Sequence, residues 1–300
     1  MSTDKTLAVT GGTGFVGSHV IKTAVDAGHV VRALVRDPDR IRLNHENLQW
    51  VKGGLGACDA ELVKGADCVI HIAGLVKART LKEFMQVNAK AAGKLAHTAT
   101  KFRVGRFVLV SSQAASQPHL SGYARSKKAG EDAVSLAFNG ATSIIRAPAV
   151  FGPGDEATKP FFNCLRRGFL PVPGGRNWKS RRLSMVFASD LASFIVNESV
   201  SDRSPKHCVT PATLPCMTWF DLARICETAL ERKIKLMPLP LFTVYPVASI
   251  ISLKSRLFGP GYLTRGKLRE FLHNDWSTNT LIPGATAPID AVKRTYESYL

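Results

Sequence analysis

The feature that most constrains this chain is a glycine-rich turn set between an apolar strand and a helix. Leu7 to Thr10 is a short apolar run, and Thr10-Gly11-Gly12-Thr13-Gly14-Phe15-Val16-Gly17 follows it without a break. From Gly14 to Ala27 the apolar residues recur at helical spacing. In that setting each glycine has a physical task. Gly11 permits a tight turn, Gly14 lets the backbone approach a pyrophosphate, and Gly17 lets the helix pack closely on the strand. The helix amino terminus then presents free N–H groups and a partial positive charge to an anion.

The rest of the first half repeats the rhythm. Val30 to Val35, Cys68 to Ala73, Arg106 to Val110 and Thr142 to Arg146 read as continuous apolar strands, separated by helix-length stretches that include Leu81 to Phe102 and Tyr123 to Phe138. Strands buried on both faces read this way, so the expectation is an α/β fold, a Rossmann-type doubly wound parallel sheet. After about Val150 glycine and proline become denser (Gly152, Pro153, Gly154, Pro171, Pro173, Gly174, Gly175) and the rhythm breaks. This predicts a dinucleotide-binding domain over residues 1–150 and a smaller substrate-binding lobe over 151–300, with segments free to interleave. In the second lobe Thr218 and Asp221 form a capping-box pattern opening a helix from Trp219 to Arg232.

With 45% hydrophobic and 21% charged residues among 300, the chain can bury a core, which excludes disorder and disulfide miniproteins. The net charge of +17 attracts nucleic acids, phosphorylated small molecules and anionic membrane surfaces alike. No helix-turn-helix, zinc or RNP pattern accompanies it, so a small-molecule substrate is expected and a specific nucleic-acid partner is not. The six cysteines show no C-x-x-C pair or nearby histidine cluster, which predicts reduced thiols and no metal site. Met1 to Asp4 runs straight into strand pattern without a signal-peptide layout, so a cytoplasmic location is expected. One stretch, Leu236 to Leu253, carries no charge but is interrupted by Pro238, Pro240 and Pro246. It reads as a buried or lid-forming piece of the second lobe or as a peripheral membrane contact, with Lys233, Lys235, Lys254 and Arg256 at its flanks.

Three further elements carry chemistry. Tyr123-Ala124-Arg125-Ser126-Lys127 puts a phenol and an ammonium on one face of a helix, and the positive charge favours the phenolate of a group whose ordinary pKa is near 10. Ser111-Ser112 closes the strand that precedes it, and Val87-Asn88 lies on the helix before that. At the end of the second strand Arg36 offers a cation to a 2′-phosphate, favouring NADP(H) over NAD(H), although the neighbouring Asp37 keeps NAD(H) open.

The Gly11-x-x-Gly14-x-x-Gly17 spacing, together with Asn88, Ser112, Tyr123 and Lys127 in order, resembles the short-chain dehydrogenase/reductase superfamily. Arg146-Ala147-Pro148-Ala149-Val150-Phe151-Gly152-Pro153-Gly154-Asp155 and Arg182 to Ala192 resemble its extended branch, the NAD-dependent epimerase/dehydratase family. The resemblance covers nearly the whole chain. It implies that Tyr123 exchanges a proton with a substrate oxygen, that Ser112 bonds that oxygen, that Lys127 supports both Tyr123 and the nicotinamide ribose, and that Asn88 holds a relay water. It also implies cofactor contacts from Gly11, Thr13, Gly14, Phe15, Val16, Gly17, Arg36, Leu55, Ala73, Gly74, Ser111, Lys127, Pro148 and Val150. Gly53-Gly54-Leu55 stands where the family often has G-D-L, so an adenine-binding aspartate is missing there. His71 in His71-Ile72-Ala73-Gly74 reads as structural.

The resemblance implies hydride transfer and leaves its outcome open. Gln113-Ala114 follows the serine where sugar dehydratases of the branch carry Asp-Glu, which argues against 4,6-dehydration. The uncharged stretch favours members resembling 3β-hydroxysteroid dehydrogenases and dihydroflavonol reductases, whose substrates are lipophilic. Arg176, Lys179, Arg181 and Arg182 form a basic cluster that reads either as the diphosphate site of a nucleotide-sugar epimerase or as a solvated loop. A non-catalytic dinucleotide-binding sensor is a further alternative, which the presence of both Tyr123 and Lys127 disfavours. Homodimers are common in the superfamily, and nothing in the sequence decides the matter.

Overall fold

The computed structural model describes residues 4–202, 205, 208–242, 244–246, 249 and 264–300. They form two compact units. The first comprises Met1–Val76, Thr80–Arg146 and Leu191–Val209, and the second Lys77–Arg79, Ala147–Asp190 and Thr210–Leu300.

The first unit is built on a six-stranded sheet of β1 (Thr6–Thr10), β2 (Val30–Val35), β3 (Leu48–Lys52), β4 (Cys68–His71), β5 (Arg106–Ser112) and β6 (Ala141–Ala147) in the order β3-β2-β1-β4-β5-β6. Neighbours from β3 through to β5 pair in parallel. All four residues of β4 are buried, as a strand covered on both faces requires. The chain winds outward from β1 through β2 to β3 and then returns to β4 on the other side of β1. That reversal, beyond the carboxyl ends of β1 and β4, is where doubly wound sheets bind their ligands.

Helices α1 (Phe15–Asp26), α2 (Asp59–Val63), α3 (Leu81–Met85), α4 (Ala92–Lys101) and α5 (Gly122–Ala137) complete this unit's sheet-and-helix framework. Gly17, Val20, Ile21, Ala24 and Val25 form the buried stripe of α1, at the spacing of one helix face. Leu62, Val63, Leu95, Phe107 and Val134 belong to one continuous core. Each such side chain contributes roughly 1.5–3 kcal/mol by leaving water. The stretch expected as one helix from Leu81 to Phe102 is instead interrupted by a π-helical turn, Gln86–Ala91, between α3 and α4.

In the second unit β9 (Arg182–Phe187) pairs in parallel with β7 (Ala149–Phe151) and β12 (Asp275–Trp276) and antiparallel with β10 (Leu214–Thr218). A separate parallel pair joins β8 (Phe169–Pro173) to β11 (Lys235–Leu239). The helices are α6 (Lys159–Arg166), the start of α7 (Ala188–Val200), α8 (Trp219–Leu230), α9 (Arg265–Leu272) and α10 (Pro288–Glu297). The capping box of Thr218 and Asp221 is formed in both directions, and α8 stops at Glu231, whose φ of 49° is left-handed. Asp190, in the stretch that resembles the extended branch, is buried and ties three segments together. It accepts from the Thr213 hydroxyl at 2.6 Å and from the main chain and hydroxyl of Thr286.

The uncharged stretch from Leu236 begins as strand β11, and described residues further along it, including Phe242, Tyr245 and Ser249, are helical. Residues 250–253, with Lys254 and Arg256, lie outside the described residues. Among the described residues no helix is long and apolar enough to cross a membrane.

Candidate active site

The glycine turn lies at the carboxyl end of β1. Gly11 has a φ of +77°, and a Cβ there would sit 2.7 Å from the main-chain nitrogen of Ala73. Gly17 is tighter still, because a Cβ would meet the Gly11 carbonyl oxygen at 2.1 Å. The turn closes through a hydrogen bond from the Gly14 N–H to the Gly11 carbonyl at 3.0 Å. Gly14 is the N-cap of α1 and no side chain caps that end, so its first-turn N–H groups are left for an anion. Thr13, Phe15 and Val16 are half-buried around it. Gly12 carries a constraint that its place in the motif does not announce: a Cβ there would strike Ile21 Cδ1 at 2.5 Å.

A buried bond fixes the turn to the adjoining strand end. Thr10 Oγ1 lies 2.7 Å from His71 Nδ1, and the Ala73 N–H donates to the same hydroxyl at 3.3 Å. Burial first, and the Lys127 ammonium second, push the His71 imidazole down to about 3, so it is neutral at ordinary pH. His71 therefore acts as a strut between β1 and β4 and holds Ala73 and Gly74 beyond the end of β4.

Asn88 sits in the π-helical turn and is buried. Its amide accepts from the Leu75 N–H at 2.7 Å and donates to the Leu75 carbonyl and to Ser126 Oγ, both at 2.9 Å. The side chain is thus engaged with protein partners, and a relay water on it would have to share them. A Cβ on Gly74 would lie 3.1 Å from Asn88 Oδ1 and 3.7 Å from Lys127 Nζ, which places these three residues in one neighbourhood.

Tyr123 and Lys127 lie four residues apart on α5, which is capped by Ser121 Oγ accepting from the Ala124 N–H at 2.9 Å. The Tyr123 ring packs on Phe84, with 6.0 Å between centroids. Lys127 is buried and donates to the Val110 carbonyl at 2.9 Å. Burial pulls this ammonium down to about 8, against the opposing pull of the Glu131 carboxylate. Ser112 ends β5, half-buried, and its Oγ accepts from the Ala114 N–H at 3.2 Å. Ser111 turns inward and donates to Glu131 Oε1 at 2.6 Å.

Glu131 had no place among the sequence-derived candidates. It is buried on α5, one turn beyond Lys127, and Arg146 of β6 holds it with two parallel bonds at 2.9 and 2.6 Å. The bond to the Glu131 carboxylate raises the Arg146 guanidinium's pKa, against burial, which pulls it down. The network locks β5, α5 and β6 in register beneath Ser112 and Lys127. Gly130, beside Glu131, lets α5 lie close against the π-helical turn, since a Cβ there would overlap the Asn88 carbonyl at 2.1 Å.

Arg36 is exposed at the end of β2 and makes no hydrogen bond or ion pair among the described residues. Its neighbour Arg32 points elsewhere and closes the end of α2 by donating to the carbonyls of Glu61, Leu62 and Lys64. Asp37 caps a short 3-10 turn by accepting from the Asp39 N–H at 3.2 Å. Leu55 packs half-buried against the core. Pro148 and Val150 belong to the second unit, where Val150 pairs with Val186.

Of the basic cluster, Arg176, Lys179 and Arg182 are exposed, and Arg181 departs from the rest. Arg181 is buried and donates to the carbonyls of Pro173 at 2.7 Å and Gly174 at 2.9 Å, so it is a fold element rather than part of a solvated loop or a diphosphate clamp. Arg182 donates to Cys216 Sγ at 3.1 Å.

Residues 11–148 match a family described as NAD(P)H-binding. The chain is 35% identical to a ceramide reductase of Caulobacter vibrioides, covering all of this chain and 96% of that protein. It is 29% identical to a 3 beta-hydroxysteroid dehydrogenase/Delta 5-->4-isomerase of Mycobacterium tuberculosis over 71% of this chain and 63% of that one. Among solved structures, MoeE5 in complex with UDP-glucose and NAD superposes with a TM-score of 0.71 at 17% identity, covering 98% of each chain. TunA, an NAD-dependent NDP-hexosamine 5,6-dehydratase, gives 0.71 at 19% identity over 98% of this chain and 97% of its own. These two likenesses show the fold. The full-length relationship to the reductase, together with the nucleotide-binding half, places the chain in the extended short-chain dehydrogenase/reductase family, as an NAD(P)-dependent enzyme.

Proposed function

We propose that this enzyme is an NADP(H)-preferring oxidoreductase that interconverts a secondary alcohol and a ketone on a lipophilic substrate. The observation that carries the reading is the buried Lys127 ammonium, held by the Val110 carbonyl one helical turn from Tyr123 and at the strand that ends in Ser112. Bound nicotinamide supplies or accepts the hydride at its C4. In the reductive direction the Tyr123 hydroxyl gives its proton to the substrate oxygen as the substrate carbon receives the hydride, and Ser112 Oγ donates a hydrogen bond to that oxygen. The phenolate left on Tyr123 is stabilised by the Lys127 ammonium and is reprotonated from it or from solvent, which closes the balance.

Preference for NADP(H) is supported by Arg36, an exposed guanidinium without a partner among the described residues where the 2′-phosphate of a bound dinucleotide would lie, while Asp37 is engaged in its own turn. A lipophilic substrate is supported by the names of the two relatives, which act on a ceramide and on a 3β-hydroxysteroid. Of the four cations that could serve a nucleotide sugar's diphosphate, Arg181 is taken up by the carbonyls of Pro173 and Gly174, which weakens the epimerase reading while Arg176, Lys179 and Arg182 stay exposed.

The test is a fluorescence titration with NADPH and with NADH, followed by NADPH-oxidation assays with long-chain ketones, steroid ketones and nucleotide sugars. Tighter NADPH binding and turnover of a lipophilic ketone are expected. Equal affinity for both nucleotides would remove the NADP(H) preference, and interconversion of a nucleotide sugar without net oxidation would replace the reductase by the epimerase.

A further inference from the structure

The second unit carries a cavity of about 580 Å³ lined by Tyr245, Pro246, Ser249, Arg265 and Arg269. Among the described residues its lining holds two guanidinium groups and no carboxylate. Arg265 and Arg269 are one turn apart on α9 and so share a face, and Arg265 Nε donates to Ser249 Oγ at 2.8 Å across the cavity. The single acid of that helix, Glu270, is buried and bonded to Lys267 at 2.8 Å. Tyr245, Pro246 and Ser249 form the opposite wall, and Phe242 precedes them on the same helical stretch. Phe242, Tyr245, Pro246 and Ser249 follow the spacing of one helix face, and Phe242 is 78% and Tyr245 44% exposed.

A soluble anion would engage the guanidinium groups and leave Phe242 standing in water. An anionic bilayer uses both halves: headgroup phosphates meet Arg265 and Arg269 while Phe242 and Tyr245 enter the interfacial layer, where aromatic side chains are favoured. The net charge of +17 adds long-range attraction to the same surface. We propose that this face of the second unit docks the enzyme on an anionic lipid bilayer, with Arg265 and Arg269 facing headgroup phosphates across the cavity from Tyr245 and Pro246, and Phe242 entering the interfacial layer. The proposal rests on the lipophilic-substrate reading, because a substrate held in a bilayer is reached only by an enzyme that visits its surface.

Co-sedimentation of the full-length protein with phosphatidylcholine vesicles, with and without phosphatidylglycerol, tests it. Wild-type protein is expected to sediment with the phosphatidylglycerol vesicles and to be released by salt. Arg269→Glu is expected to lower that binding by more than about tenfold, since each cation near such a surface contributes substantially. Phe242→Ser should lower it independently, with NADPH affinity and thermal midpoint unchanged in both variants. No wild-type binding to anionic vesicles, or binding undiminished in both variants, overturns the docking surface. Inorganic phosphate that raises the thermal midpoint of wild type but not of Arg269→Glu, without vesicle binding, would overturn it in favour of a free-phosphate site. NADPH titration of the same samples separates these outcomes from failure of the oxidoreductase reading, which would show as loss of nucleotide binding or turnover in wild type.

Discussion

Lys127 donates its ammonium to the main-chain carbonyl of Val110 at 2.9 Å, from a position buried beneath the end of β5. The bond ties α5 to the strand that ends in Ser111-Ser112 and keeps a charge where charge is unfavourable, which is why its pKa falls to about 8.

Replacing that charge should separate stability from function. Lys127→Met fills a similar volume and removes the buried ammonium, so unfolding in urea should show a gain of about 1–3 kcal/mol at neutral pH. Turnover should fall by orders of magnitude. A variant less stable than wild type would mean that the Val110 bond outweighs the burial of the charge.

Gly17→Ala tests the cradle. The added Cβ would lie 2.1 Å from the Gly11 carbonyl oxygen, which forces α1 away from the turn. Nucleotide fluorescence titration should show NADPH binding weakened at least about a hundredfold, with a stability loss of about 1–3 kcal/mol. Unchanged affinity would show that the pyrophosphate is held elsewhere.

His71 predicts a pH dependence of stability. Its imidazole has a pKa of about 3 in the fold against an ordinary 6.5, so the unfolded chain takes up a proton that the fold refuses between those values. The stability that a neutral His71 contributes is complete above 6.5 and is lost as pH falls toward 3. Thermal midpoints recorded on acidification should therefore decline less steeply in His71→Asn than in wild type. Parallel curves would exclude His71 as a source of the acid sensitivity.

Arg36→Asp should reverse cofactor preference, lowering NADPH affinity and raising that for NADH, because a carboxylate repels a 2′-phosphate and bonds the free ribose hydroxyls. Binding titrations with both nucleotides check it, and an unchanged ratio would move 2′-phosphate recognition to another residue.

Much of this framework is legible in the sequence because period and glycine placement are local signals. The strand Val30–Val35 has the bounds its apolar run suggests, and the glycine turn falls between β1 and α1 as read. The strand Leu48–Lys52 escapes because its only fully buried residue is Val51, so no apolar run marks it. The π-helical turn at Gln86–Ala91 keeps the composition of a helix and changes only the hydrogen-bond register, to which side-chain periodicity is blind. Glu131 and Arg146 are fifteen positions apart and meet only once α5 lies against β6, so no spacing rule pairs them. Arg181 shows the opposite error: a cation in a basic run reads as solvated, yet its partners are carbonyls brought in by the fold.

The most direct test of the account is single-turnover NADPH oxidation with a lipophilic ketone by wild type and by Tyr123→Phe. The variant loses one hydroxyl from the half-buried ring beside Phe84, so NADPH should bind with wild-type affinity while the rate falls by roughly three orders of magnitude or more. A Tyr123→Phe enzyme that oxidises NADPH at near the wild-type rate would contradict the account, because the proton would then come from a group other than Tyr123.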